Sequence, residues 1–348
     1  MKGQARRAAI VVQQGLGDVA LSLGAVQQIR EHFAGDVHLV VKSRLEWQLI
    51  ELAFPDLAAT TLVSTEFGSR PATRWLAITR ALRRARVSDF LGLHLVNTAR
   101  SQLVARLTGA QRIELNAFDS NDGAHKTEHY AAMASAITGQ VVRPTPFVLT
   151  QFLSHRRDVG GAVVLAPGSG VAEAHKRWPP IRYAELIRLL HSQDGSTRFV
   201  LLGAPSEREL LDSIYTLAQP TGAHVEIVAP ATLRESLMVL AEARVVVGGC
   251  SGSLHLAALV DAPIIGVYGP TNPGWTAPSA SRVRIVREGY LCSPCYSTDF
   301  IHGCEKPGCM TAVTATAVVK ALEEIEHQRA PSRLPWFPLS KLRVACRP

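Results

Sequence analysis

The chain has 348 residues, too many for one ordinary core, so two domains are expected. Its composition, 47% hydrophobic and 19% charged, is that of a folded protein, and no apolar run reaches the roughly 20 residues of a membrane span. The net charge of +8 favours anionic partners, but no nucleic-acid motif accompanies it and only 6% of residues are aromatic, which argues against nucleic acid as the partner.

Lys2, Arg6 and Arg7 precede an apolar stretch of only Ala8 to Val12, broken by Gln13 and Gln14. That is too short for the apolar region of a signal peptide, and a cytoplasmic location is expected. Strands are predicted at 8–12, 37–41, 90–95 and 112–115, with helices between them. The clearest helix runs from Asp18 to Phe33, with Val19, Leu23, Val26, Ile29, Arg30 and Phe33 on one stripe.

The loop Gln14-Gly15-Leu16-Gly17-Asp18 joins the first strand to that helix, at the sheet edge where ligands bind in open α/β folds. Gly15 and Gly17 let a ligand approach the backbone. Asp18 has two readings at this stage, a helix N-cap or a general base. The dinucleotide fingerprint fails, since no glycine follows at its last position, near Leu21 and Ser22, and this counts against a dehydrogenase.

Pro144, Pro146, Arg156 and Arg157 mark a linker over 143–158. The domains are therefore expected at 1–150 and 158–327, with a basic, proline-rich tail at 328–348. The alternation then restarts, with strands predicted at 162–166, 199–202, 225–228, 245–247 and 264–268. Helices are predicted at 183–191, 207–217, 233–243, 252–260 and 311–326.

Two loops of this half suit phosphate. Ala166-Pro167-Gly168-Ser169-Gly170 offers amides and a hydroxyl, with Lys176 following as a mobile cation. Its spacing is not that of a P-loop. Gly248-Gly249-Cys250-Ser251-Gly252 opens a helix whose amino end forms an anion site, with His255 one turn in. A lone histidine there is either structural or catalytic. The four cysteines 292, 295, 304 and 309 begin with a C-x-x-C and are suited to hold zinc or iron as a structural site; free thiols or a disulfide are the alternatives.

Four features together resemble glycosyltransferase family 9, the heptosyltransferases of the lipopolysaccharide inner core. They are Gly-Leu-Gly-Asp opening a helix, Pro-Gly-Ser leading to Lys-Arg-Trp-Pro, Ser-Gly-Ser-Leu-His, and Tyr-Gly-Pro-Thr-Asn-Pro. Cys-Ser-Pro-Cys ending in Cys-Met adds to them. The resemblance covers about residues 8 to 326 and implies an α/β fold of the GT-B type, two Rossmann-like domains facing a cleft. It implies inverting, metal-independent transfer of heptose from ADP-heptose to a phosphorylated lipopolysaccharide core acceptor, with no cofactor required.

By the same resemblance Asp18 is the base and Lys176 holds the diphosphate, with Ser169 and the Ser251-Gly252 amides beside it; Gly15 and Gly17 are counted with the donor-binding residues. Glu207 takes the ribose, and His255 is the family's helix histidine. The acceptor falls to the first domain, with Arg70, Arg74 and Arg100 as candidates. The chain departs from the family at Cys250, where an aspartate is usual, and at Leu23-Gly24, where Thr-Pro is frequent. The first departure keeps open another nucleotide sugar or a protein acceptor. A non-catalytic nucleotide- or sugar-phosphate-binding protein is the reading from another class. The charge and the basic tail are compatible with peripheral contact at the inner membrane.

Overall fold

The structure is a computed structural model and describes residues 6–12, 14–93, 99–115, 123–156, 160–230, 232–295, 304 and 307–327, with the side chains of Arg100, Val171 and Ala172 left out. The chain divides into two compact units, Met1–Phe147 and Val148–Pro348. The division falls inside the stretch 143–158 where the sequence placed a linker. The tail 328–348 lies outside the described residues.

The first unit runs β1 (Ala8–Val12), α1 (Leu16–His32), β2 (Val37–Val41), α2 (Arg44–Ala53), α3 (Pro55–Ala58), β3 (Leu62–Val63), α4 (Pro71–Arg84), β4 (Asp89–Gly92), α5 (Ala99–Leu107), β5 (Arg112–Leu115) and α6 (Lys126–Thr138). Its strands are parallel, in the order β3-β2-β1-β4-β5. β1 is buried along its whole length, as a central parallel strand covered on both faces must be. The order reverses between β1 and β4, so right-handed crossovers put α1 on one face and α4 and α5 on the other. Ile78 and Leu82 of α4 and Ala105 of α5 accordingly pack with Ala9, Val11, Val40 and Phe90.

α1 packs against α6. It is buried nearly all round from Val19 to Val26, and not along a single stripe as its periodicity implied. Arg30 leaves the apolar face through an ion pair with Asp56 at 2.5 Å. Gly24 has a steric reason: a Cβ there would lie 2.2 Å from the Thr145 carbonyl oxygen. The segment after α6 crosses directly over the helix at that point.

The second unit runs β6 (Val163–Ala166), α7 (Pro180–Gln193), β7 (Arg198–Leu202), α8 (Arg208–Ala218), β8 (His224–Val228), α9 (Leu233–Ala241), β9 (Val245–Gly249), α10 (Gly252–Leu259), β10 (Ile264–Val267), α11 (Pro273–Thr276), β11 (Val283–Val286), α12 (Gly308–Ala312) and α13 (Ala315–His327). The parallel order is β11-β10-β9-β6-β7-β8. Its reversal lies between β6 and β9, so both phosphate-suited loops leave strands that flank the switch point. α7, α8 and α13 share one core with β6, β7, β9 and β10.

One predicted element is corrected. The helix expected over 311–326 is broken at Val313, whose backbone is extended. The Val313 carbonyl accepts the Trp178 indole N–H at 2.9 Å instead of closing a helical turn. Thr314 Oγ1 then accepts from the Ala317 amide, starting α13 afresh.

Candidate active site

In the first unit the loop after β1 carries Asp18. The N-cap of α1 is Gly15, which has no side-chain capping bond. Asp18 is the third helical residue, so the reading of Asp18 as the N-cap is overturned. Its amide bonds the Gly15 carbonyl at 3.0 Å. Its carboxylate receives Lys126 Nζ at 2.5 Å, with both side chains over four-fifths buried. Gly15 faces open space, so the loop is approachable.

Lys126 is the first residue of α6. A cation at that end opposes the helix dipole, and the Asp18 carboxylate offsets the cost. The turn is fixed by His125, which is buried and caps α6 while Glu128 bonds back to the His125 amide. Tyr130 follows one turn on. Its ring is fully buried, and its hydroxyl has no hydrogen-bond partner among the described residues. Burial and then the nearby Asp18 charge hold its pKa well above the usual phenol value. Sequence reasoning missed Lys126 and Tyr130. The available signal was a lysine opening a helix inside the capping pattern His125-x-x-Glu128.

In the second unit three close approaches at glycines hold the loops after β6, β7 and β9 together. Trp178 is fully buried and stacks edge-on against Tyr183 at 4.8 Å, which anchors the Lys-Arg-Trp-Pro segment in the core. A Cβ at Gly249 would meet the Lys176 carbonyl oxygen at 2.6 Å, and one at Gly248 the Ala166 carbonyl oxygen at 2.6 Å. These two glycines therefore let the end of β9 close on the neighbouring loop. A Cβ at Gly168 would lie 2.1 Å from Glu207 Oε1. Glu207 itself accepts from the Ala204 amide at 2.9 Å, which holds its carboxylate over the glycine.

Lys176 is buried, with Nζ 2.5 Å from Glu173 Oε1. Ser169 is buried; its Oγ donates to the Glu173 carbonyl at 2.9 Å and accepts from Arg177 Nε at 3.1 Å. Ser251 is the N-cap residue of α10 but makes no capping bond, and its shielded Oγ has no partner among the described residues. Gly252 opens α10, and His255 is buried one turn in. Cys250 is buried, with Sγ 3.5 Å from Thr276 Oγ1, and Tyr268 donates to the Thr276 carbonyl at 3.1 Å. The Cys250 thiol thus lies among hydroxyl groups.

Arg70 is the exposed N-cap residue of α4, and Arg74 Nε donates to the Gly68 carbonyl. Arg100 lies in α5, with its side chain outside the described set. The four clustered cysteines are free thiols: Cys292 and Cys304 exposed, Cys295 half-buried, Cys309 buried in α12. Burial, then the charges of its neighbours Cys295, Cys292 and Cys304, pushes the Cys309 thiol up to about 11. The expectation of a zinc or iron site is not met: among the described residues no group of three or more His, Cys, Asp or Glu side chains is placed to hold a metal ion.

A family model described as "Glycosyltransferase family 9 (heptosyltransferase)" matches residues 96–304, more than half of the chain. Lipopolysaccharide heptosyltransferase 2 of Salmonella typhimurium is 32% identical over 123 residues, covering 35% of this chain and 34% of its own. Lipopolysaccharide heptosyltransferase 1 of Escherichia coli is 42% identical over 100 residues, covering 28% of this chain and 30% of its own. These matches span about a third of the relatives' length. The solved structure of E. coli ADP-heptose lipopolysaccharide heptosyltransferase II superposes with a TM-score of 0.68 at 19% identity, over 92% of this chain and 98% of that one. The fold is therefore the GT-B type, α/β with two parallel sheets.

Proposed function

Because the chain belongs to glycosyltransferase family 9 (heptosyltransferase), we propose that it moves heptose from ADP-heptose to an inner-core sugar of lipopolysaccharide, with inversion and without a catalytic metal. The observation that carries the chemistry is the Asp18–Lys126 pair. On this reading Asp18 takes the proton of the acceptor hydroxyl as that oxygen attacks the anomeric carbon. The C–O bond to the diphosphate breaks on the opposite face, and ADP leaves with the bonding electrons. Lys126 holds the carboxylate in one orientation before the acceptor arrives.

Charge on the leaving diphosphate is met by Lys176 and by the amide-rich amino end of α10, beside the unpartnered Ser251 hydroxyl. Glu207, whose carboxylate is held by the Ala204 amide, is assigned to the ribose hydroxyls, and Arg70, Arg74 and Arg100 are assigned to the acceptor's anionic groups. The work is assigned to the cytoplasmic face of the inner membrane. Among the described residues no helix is long and apolar enough to cross a membrane.

Cys250 favours a second reading. The Cys250 sulfur beside Thr276 is a weak acceptor and cannot take a sugar hydroxyl as a carboxylate does, which favours a nucleotide sugar other than ADP-heptose. A titration comparing ADP, UDP, GDP and ADP-heptose separates the two. Preference for ADP and ADP-heptose supports the first, and preference for UDP or GDP the second. Absence of binding to all four rejects both.

A further inference from the structure

Between Glu66 and Glu114 the chain carries nine arginines and one acid, Asp89. Given 37 basic and 29 acidic residues in all, the rest of the sequence is balanced, so this segment supplies the whole net charge. Asp89 does not offset it at the surface: it is buried and paired with Arg6 at 2.5 Å. The segment contains α4 and α5, which pack side by side on one face of the first sheet.

Helical spacing sorts their residues. On α4, Ile78 and Leu82 go to the core, while Leu76, Arg80 and Arg83 form the opposite stripe at i, i+4 and i+7. On α5, Ala105 goes to the core, and Leu103, Arg106 and Leu107 point away. Leu76, Leu103 and Leu107 are 52%, 58% and 51% exposed. Arg80, Arg83, Arg84, Arg86 and Arg106 are exposed around them. Because both helices lie on the same sheet face, the two outer stripes look in one direction.

We propose that this outer face of α4 and α5 docks on an anionic lipid bilayer. The proposal goes beyond the transfer reaction and does not depend on it. Guanidinium groups pair with headgroup phosphates in a forked geometry, and their stems cover apolar surface while the charge stays at the interface. Leucines projecting from the same plane enter the boundary between headgroups and acyl chains, where an amphipathic helical surface gains from both contributions. A nucleic acid would instead call for exposed stacking rings, and Trp75 of α4 packs toward the core.

The test is flotation of the full chain with vesicles of phosphatidylcholine alone or mixed with phosphatidylglycerol, without donor or acceptor. Transfer activity plays no part in this readout, so failure of the proposed function leaves it intact. Wild-type protein is expected on the mixed vesicles only, with binding that falls as salt rises. The triple variant Arg80→Gln, Arg83→Gln, Arg84→Gln should lose on the order of 100-fold in partitioning, at about fivefold per arginine near the surface. The pair Leu103→Ser, Leu107→Ser should lose roughly tenfold, with unchanged circular dichroism. The proposal is overturned if wild type ignores mixed vesicles, or if the triple variant binds like wild type. It is equally overturned if deletion of residues 328–348 abolishes binding that the triple variant retains. Displacement of the protein from vesicles by duplex DNA, with the leucine pair without effect, would make the surface a polyanion site and not a bilayer one.

Discussion

The ammonium group of Lys126 lies 2.5 Å from Asp18 Oδ1, across the contact between α1 and α6. Replacing either residue takes a charged partner from the other in a mostly buried setting. Asp18→Ala and Lys126→Ala should each lower stability by about 2 kcal/mol, and the double variant should cost clearly less than the sum. Urea unfolding of the four proteins measures this; strict additivity would mean that the pair does not form in solution.

Asp18→Ala should also lose transfer by roughly 100-fold or more, as expected when a general base is removed. A variant that folds and keeps most of its activity would remove Asp18 from the chemistry and leave it a partner of Lys126 alone.

Tyr130 makes the opposite prediction. Its buried hydroxyl gives up hydration and gains no hydrogen bond among the described residues. Tyr130→Phe should therefore be as stable as wild type or up to about 1 kcal/mol more stable. A drop of similar size in the thermal or urea transition would reveal a hydrogen bond to that oxygen.

Lys176→Ala should weaken ADP binding by roughly tenfold to 100-fold, the range of one charge-assisted contact. Folding should be largely kept, because its partner Glu173 is about a third exposed and can be solvated. Calorimetry with ADP checks it, and an unchanged affinity would take Lys176 out of the donor site.

Cysteine labelling follows from protonation. The thiolate is the nucleophile, and Cys309 is held protonated up to about pH 11, so at neutral pH it should stay unmodified by iodoacetamide while the exposed Cys292 and Cys304 react. Its labelling should rise as pH climbs toward 11. Peptide mapping after short exposures reads this directly, and early labelling of Cys309 would show that α12 opens.

Most strands were legible because a parallel strand covered on both faces must be apolar throughout; Ala8–Val12 and Val37–Val41 match to the residue. The edge strands β3 and β11 were not read. β3 is two residues long, and Val283–Val286 is interrupted by Arg284 and only half-buried. The break at Val313 was invisible because its cause, the Trp178 indole, is far away in sequence. The same holds for the site. Loops that follow strands announced Asp18 and Ser169, but Lys126 lies more than a hundred residues from Asp18 and only the packing of α6 on α1 joins them. Glycines 248 and 249 looked like ligand amides, and they also make room for neighbouring backbone.

Gly168 and Glu207 have a consequence for how this chain can change over generations. A side chain gained at 168 would strike the carboxylate held above it, whereas a shorter residue at 207 leaves the glycine undisturbed. A side chain gained at 168 therefore requires the Glu207 carboxylate to swing aside and give up its bond from the Ala204 amide. Change at 168 is thus tied to the loss of that capping bond, whereas change at 207 sets no condition on 168.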